Sequence, residues 1–484
     1  MTFIHNYSRS LQYNCSVRAR NLLIVLLILL AIAVAVISPV IYTGYSDVRA
    51  AQFAESQKQY SAAANLYESA AGRLFWRNDL WEKAGLADYQ IGDKENAVRL
   101  LKIAQQKDSL SAQGWDALGS AYWEENDHAT ALSIWQTGAQ AEPSYAPLLD
   151  RLAVVYHLHG DYAAEQTALV KRLALGNDAA SHYRLGLLLT LSDISRAQKE
   201  FTAASSLDPE FDSVVQTLTA TLNVAVLETN PSQRLVIIGR GLGLVEEWGL
   251  ASQAFEQAVS TDSNNAEAWA WLGEARQQAG QDGSAELDKA LALGPRDTVV
   301  RALRGLYWKR QGNYAQALTE YLQAMQIEPD NPAWQASIAD AYTQTGDLIS
   351  ALAAYQRATM LAPNEALYWR LLAMFCADNG VQVLDVGLPA AQKAAGIAPK
   401  DPQVLDALGW VTLKAGYPST AEQNLLKSIQ AAPDVALTHL HLAETYLDQG
   451  NHASAFNELN LAHQLDENGS VGQFAAELLK QYFP

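Results

Sequence analysis

Cysteine is almost absent from this chain, with two in 484 residues. Two thiols cannot build a disulfide framework or a CxxC-paired zinc module, so the packing has to come from apolar burial. Clustered positive charge is scarce as well. With 34 Lys and Arg against 52 Asp and Glu the formal net charge is −18, and nucleic acid is not an expected partner, because its binding draws most of its affinity from clustered cations. GxxxxGK[ST], GxSxG and HExxH are all missing. The run Gly239-Arg240-Gly241-Leu242-Gly243 falls inside an expected helix, without the strand that a dinucleotide fingerprint needs, so its glycines read as helix-packing residues. His157 and His159, like His439 and His441, are two residues apart and point to different helix faces. That spacing does not make a metal site, even with His452 and His463 nearby. No catalytic residue, metal, cofactor or small-molecule substrate is expected, and the chain reads as a non-enzyme. What it does have is a folded protein's composition, 49% apolar and 18% charged.

The N-terminus is a separate object. From Leu22 to Tyr42 the residues are apolar except for Ser38 and Pro39. A helix over that stretch would reach roughly 31 Å, the thickness of a bilayer's hydrocarbon core. Arg9, Arg18 and Arg20 precede it, and no acidic residue comes before Asp47. This bias places the N-terminus in the cytoplasm and the rest outside, a single-pass membrane protein, with Tyr42 and Tyr45 at the interface. A cleaved signal peptide is the competing reading, since Ala33 and Ala35 supply an A-x-A pattern, but cleavage there would leave Val36, Ile37 and Val40 leading the mature chain. Beyond the anchor, 31 basic residues face 52 acidic ones.

The remainder repeats. Trp115-x2-Leu118-Gly119-x2-Tyr122, then Ala131-x3-Trp135, then Pro143, resembles the tetratricopeptide (TPR) pattern of 34 residues in every diagnostic slot. The small residue of the Gly119 slot recurs at Gly85, Ala153, Gly186, Gly239, Gly273, Gly305, Ala339, Ala373, Gly409 and Ala443. Six of the ten intervals are 34 residues, and the others are 33, 53, 32 and 36. In each first helix the slots of Trp115, Leu118, Gly119 and Tyr122 share one face. The second helix carries Ala, a bulky residue and Ala, as in Ala317, Tyr321 and Ala324, so that the small residues admit the partner's ring. Turns such as Gly160-Asp161 and Gly346-Asp347 separate the two helices, and prolines such as Pro143 and Pro329 separate the units.

The expected fold is therefore all-α: a TPR α-solenoid, a right-handed superhelix of helical hairpins, preceded by one transmembrane helix. About twelve repeats are expected. Residues 1–21 read as a short cytoplasmic tail and 22–43 as the transmembrane helix. TPR lobe 1 covers 47–209, an extra helix between lobes 210–231, and lobe 2 residues 232–469, with a capping helix at 470–484. The 53-residue interval motivates the extra helix, whose Leu218, Leu222, Val226 and Leu227 are expected to pack between the lobes. Phe474, Leu478 and Tyr482 mark the cap. Cys376 takes the Tyr122 slot and is expected in the core.

Proteins of this family commonly bind peptides or other proteins on the concave face lined by first helices, so the resemblance implies a binding platform. The slots left over once the buried ones are removed form a stripe that includes Tyr89, Ser120, Glu124, Asp150 and Val154. Its candidate partner-binding residues are Asp116, Trp123, Arg151, His157, Arg184, Trp271, Asp340, Arg370 and Trp410. For the tryptophans, packing by neighbouring helices is the alternative to partner contact. The set of lysines, asparagines and an arginine that forms a carboxylate clamp is not present. The expected function is a membrane-tethered scaffold for proteins or peptides, and the acidic excess suits basic segments as well as solubility. An accessory subunit of an envelope polysaccharide or peptidoglycan enzyme complex is the alternative.

Overall fold

A computed structural model describes residues 24, 27, 28, 34–108 and 110–483. Among them the secondary structure is helical, without strands. Two units divide the chain, Met1–Thr219 and Ala220–Pro484.

In the first unit a helix over residues 34–56 pairs with Tyr60–Arg73. Four further hairpins follow: Asp79–Gln90 with Lys94–Lys107, Ala112–Glu124 with His128–Ala141, Ala146–Leu158 with Tyr162–Leu175, and Ala179–Leu189 with Ile194–Leu207. Nine residues of the expected membrane helix, Leu22–Tyr42, lie outside the described residues. Its last nine residues belong to the helix over 34–56, which runs through Pro39 without a break into the first hairpin. Among the described residues no helix is long and apolar enough to cross a membrane.

Helix Asp212–Leu227 occupies the stretch behind the 53-residue interval, and the unit boundary falls within it. Leu218 and Leu222 are buried, but Val226 and Leu227 are exposed. The inward face of this helix therefore continues through Val215 and Ala225 rather than through its last two residues. The second unit then stacks Pro231–Leu244 with Trp248–Thr261, Ala266–Gln278 with Ser284–Leu293, Thr298–Arg310 with Tyr314–Ile327, and Pro332–Gln344 with Leu348–Leu361. Ala366–Asn379 with Leu388–Ile397, Pro402–Lys414 with Pro418–Ala431, and Ala436–Asp448 with His452–Leu465 complete it, followed by Ser470–Tyr482.

The small-residue slot has a direct steric reason. A methyl group added at Gly119 would come within 2.2 Å of Trp135 Nε1, at Gly239 within 2.5 Å of Phe255 Cε1, and at Gly305 within 2.2 Å of Tyr321 Cε1. The bulky ring of each second helix rests on the bare backbone of its first helix. Gly241 and Gly243 are equally tight, against Thr221 and Trp248, so the glycine run packs helices. Most hairpins turn through one residue with positive φ, as at Gly160 (+69°) and Gly346 (+81°), and Asn126 and Glu246 take that conformation where glycine is missing. Aspartate or asparagine then caps the second helix, Asp127 accepting from the Thr130 amide and Asn313 from the Gln316 amide.

Irregular intervals have local causes. The 36-residue step follows from a widened turn, Val383–Gly387, entered through Gln382 at φ +46°. The 32-residue step reflects the short helix Ser284–Leu293. At the chain's end the inward face of Ser470–Tyr482 is Val471, Ala475, Leu478 and Leu479, packed on Leu459 and Ala462. Phe474 and Tyr482 are about half exposed, so the face that seals the stack is set by Ala475, not by the Phe474–Leu478–Tyr482 stripe.

Candidate functional site

First helices of successive hairpins touch one another in both units. In the first unit this brings Asp79–Gln90, Ala112–Glu124 and Ala146–Leu158 side by side. Their cohesion is partly polar: Glu82 accepts from the Ser111 amide (3.0 Å) and hydroxyl, tying one repeat to the helix cap of the next.

Between these helices lies a cavity of about 340 Å³ lined by Tyr89, Ser120, Trp123, Glu124, Trp135, Pro147, Asp150, Arg151, Val154 and Val155. Trp123 forms one wall, its ring edge-on to His128 at 4.0 Å and tilted 5.8 Å from Trp135. Val154, more than half exposed, forms the rim. In the lining, Ser120 is 5% exposed, and its hydroxyl makes no well-formed hydrogen bond among the described residues, the Tyr89 hydroxyl being its polar neighbour. A buried polar group left this way costs about 1–3 kcal/mol, which an incoming polar group can recover.

The surrounding charges are paired. Arg151 donates to Asp116 at 3.2 Å yet stays half exposed, so its guanidinium has donors to spare. Lys94 sits 2.8 Å from Glu124, which also accepts from the Tyr89 hydroxyl at 3.1 Å. The Lys94 ammonium holds the Glu124 carboxyl below its ordinary pKa. Burial raises that of Asp150, although Arg172 lies 2.8 Å away. The cavity can take an apolar side chain with a hydrogen-bonding group at its tip, and its rim can meet charge of either sign. It has no nucleophile beside a base: Ser120 has no histidine near it in the lining.

The sequence-derived candidates separate into groups. Trp123 and Arg151 line the cavity, and Asp116 holds Arg151. Arg184 instead donates to Glu165, a carboxylate 1% exposed, and contacts His157, forming a separate cluster. In the second unit Trp271 is partly buried: Phe255 stacks 6.1 Å from it, the Arg240 guanidinium lies 5.2 Å above, and its Nε1 donates to Glu267. Asp340 is paired with Lys309 at 2.7 Å. Arg370 is partly buried and has no ion pair among the described residues. Trp410 corrects the expectation. It is 7% exposed, stacked on His441 at 4.1 Å and donating to Asp378 at 2.7 Å, because a histidine in the next repeat fills the space beside it.

Trp135, Pro147 and Val155 were not in the stripe. Trp135 belongs to a second helix and reaches the cavity because Gly119 lets its ring approach, so the glycine opposite a tryptophan was the available signal. A second feature also escaped the pattern. Four positions before the small residue, where Trp115 and Trp269 stand in their repeats, other repeats carry a histidine or arginine against a second-helix glutamate: His182 with Glu200 (2.6 Å), Arg301 with Glu320 (2.5 Å) and His439 with Glu458 (2.6 Å). Cys376 is fully buried, and desolvation pushes its thiol up to about 11, as a core residue requires.

The tetratricopeptide repeat pattern matches residues 82–147 and residues 310–375. Tetratricopeptide repeats are thus present in both units, each an all-α stack of helical hairpins. Among curated proteins it is similar to human Superkiller complex protein 3, 26% identical over 299 residues, covering 58% of this chain and 17% of that protein. It is also similar to Superkiller protein 3 of Schizosaccharomyces pombe, 21% identical over 319 residues, covering 62% and 22%. The chain thus spans about a fifth of the length of these relatives. Among solved structures, yeast Tom70 matches with a TM-score of 0.42 and 14% identity over 91% of this chain and 95% of that one. A tetratricopeptide repeat protein of Parabacteroides merdae matches with 0.44 and 14% over 52% and 99%.

Proposed function

We propose that this chain is a membrane-tethered scaffold of about twelve repeats that holds a protein or peptide segment against the first helices of its first unit, on the extracytoplasmic side. TPR proteins are generally protein-interaction scaffolds, and the repeat fold is itself non-catalytic. The observation that carries the reading is the cavity at Trp123, where an aromatic wall, the buried Ser120 hydroxyl beside Tyr89 and a half-exposed Arg151 converge. Such a site accepts one side chain of a docked segment and leaves the rim acids Glu124 and Asp150 for basic neighbours of that side chain. The apolar run Leu22–Tyr42 and the arginines before it support the tether and its orientation.

A photo-crosslinking residue placed at Val154 on the cavity rim, in native membranes, tests the assignment, with Gln140 on the second-helix layer as the control. The reading expects a discrete adduct from Val154 that Trp123→Ala abolishes. Adducts arising only from Gln140 would refute it.

A further inference from the structure

The turn between the first two hairpins carries two adjacent exposed aromatic side chains. Phe75 and Trp76 stand at its tip, 74% and 44% exposed, with their rings edge-to-face at 5.0 Å. The turn after the second hairpin has Asp108, Leu110 and Ser111 among its described residues, that after the third Glu142, Pro143 and Ser144, and that after the fourth Gly176 and Asn177. Two large aromatic side chains exposed side by side form an apolar patch that a partner can cover.

The position of the tip identifies that partner. The helix over 34–56 and Tyr60–Arg73 are antiparallel, so the chain returns alongside the segment it rose from. A methyl group at Gly44 would sit 2.7 Å from Leu74 Cγ, and Arg73 forms an ion pair with Asp47. Leu74 is thus level with Gly44, two residues beyond Tyr42, where the apolar run stops. Tyr42 and Tyr45 are themselves exposed at this level. The neighbouring arginines bring little unpaired charge, since Arg77 donates to both Asp79 oxygens, at 2.7 and 2.8 Å, and Arg73 is held by Asp47.

We propose that the Phe75–Trp76 turn inserts into the outer interface of the bilayer that the apolar run crosses, giving the first repeat a second membrane contact beside its helix. The inference rests on the membrane-tether reading. Tryptophan and tyrosine favour the headgroup level because one end of each ring system is apolar and the other hydrogen-bonds, and phenylalanine adds apolar area below it. With one helix as the only contact, the first unit could swivel about it. Two contacts, joined through the packed Gly44–Leu74 crossing, fix its face relative to the membrane plane.

The test compares the full chain with Trp76→Phe, each reconstituted in phosphatidylcholine vesicles with and without brominated acyl chains, after alkaline carbonate washing. The chain has twelve tryptophans, and the share of the emission that belongs to Trp76 is read from the loss caused by Trp76→Phe in vesicles without bromine. The expected result is that bromolipid quenches the wild type more than Trp76→Phe, by up to that share. Equal quenching in chains that resist carbonate would overturn the turn's insertion and leave the tether standing, pointing instead to a protein partner or a second copy on Phe75 and Trp76. Release of both chains by carbonate would overturn the tether and the insertion together.

Discussion

The ion pair between Glu274 and Arg310 joins two successive first helices of the second unit and yields an ordered prediction. Arg310 Nη1 and Nη2 donate to the two Glu274 oxygens at 2.7 and 2.6 Å, and Gln278 donates to Glu274 at 2.9 Å. The carboxylate side chain is 5% exposed, and that of the arginine 33%. Removing one partner of a buried pair costs about 3–5 kcal/mol, because the other charge stays buried and uncompensated. The two removals should therefore differ. Glu274→Ala leaves a guanidinium that water can reach, for about 2 kcal/mol, whereas Arg310→Ala strands a carboxylate with one amide donor, for about 3–4 kcal/mol. The double variant should cost less than the sum, with a coupling of about 1–2 kcal/mol. Since repeats of a solenoid contact mainly their neighbours, the loss is local. Native-state hydrogen exchange of helices Ala266–Gln278 and Thr298–Arg310 reads it directly, with Asp79–Gln90 as the reference. The reasoning fails if Glu274→Ala opens these helices more than Arg310→Ala, or if the two costs are additive.

Four further outcomes follow from the same structure. Gly305→Ala puts a methyl group 2.2 Å from Tyr321 Cε1 and should destabilise its hairpin by about 1–3 kcal/mol, measured by chemical unfolding, while Gly72→Ala, with open space around it, should not. Asp88 is buried in a core slot, and desolvation, helped by Asp93 and Glu68, raises its pKa from 3.8 to about 6. A raised acid favours the protonated fold, so stability falls as pH rises from the unfolded value through the folded one. Asp88→Asn should therefore stabilise the protein by about 1 kcal/mol above about pH 7 and by almost nothing near pH 4, allowing for solvent screening, in thermal melts across that range. His439 meets Glu458 at 2.6 Å and the Pro433 carbonyl at 2.8 Å, one acceptor for each ring nitrogen, and the Glu458 carboxylate raises its pKa against the opposing effect of burial. That stabilisation is complete below the ordinary value of 6.5 and fades as pH rises through the raised one, so His439→Gln should flatten the pH dependence of melting above about pH 6.5. Trp123→Ala should abolish the Val154 crosslink while Arg184→Ala leaves it, because Arg184 is engaged with Glu165 away from the cavity.

Much of the architecture was legible in the chain because a tandem repeat states its packing rule many times over. A glycine or alanine every 34 residues is needed wherever a ring from the second helix lies on the first, and Trp135, Phe255 and Tyr321 show that contact in three repeats. A residue's slot therefore specifies its burial, which is why Cys376 could be assigned to the core and Gly239 to packing from the sequence alone. The groove was legible only as a stripe, since slots record which side of a helix a residue is on, not what the next helix brings against it. Trp123 and Trp410 belong to that stripe. Trp123 borders an open cavity, whereas His441, 31 residues beyond Trp410, stacks on its ring and closes the space.

The same distinction holds for the N-terminal segment and the turn at Phe75. Composition sets the apolar length of Leu22–Tyr42, because transfer into lipid depends on how many apolar residues run together. Whether Phe75 and Trp76 lie level with its end depends on Leu74 meeting Gly44 across an antiparallel pair, a contact between residues 30 positions apart. Periodicity within the chain determined the repeating hairpins and their interiors. Which side chains end up bare, paired or covered was decided by tertiary neighbours, through steric fit and the distances between charges that no single repeat contains.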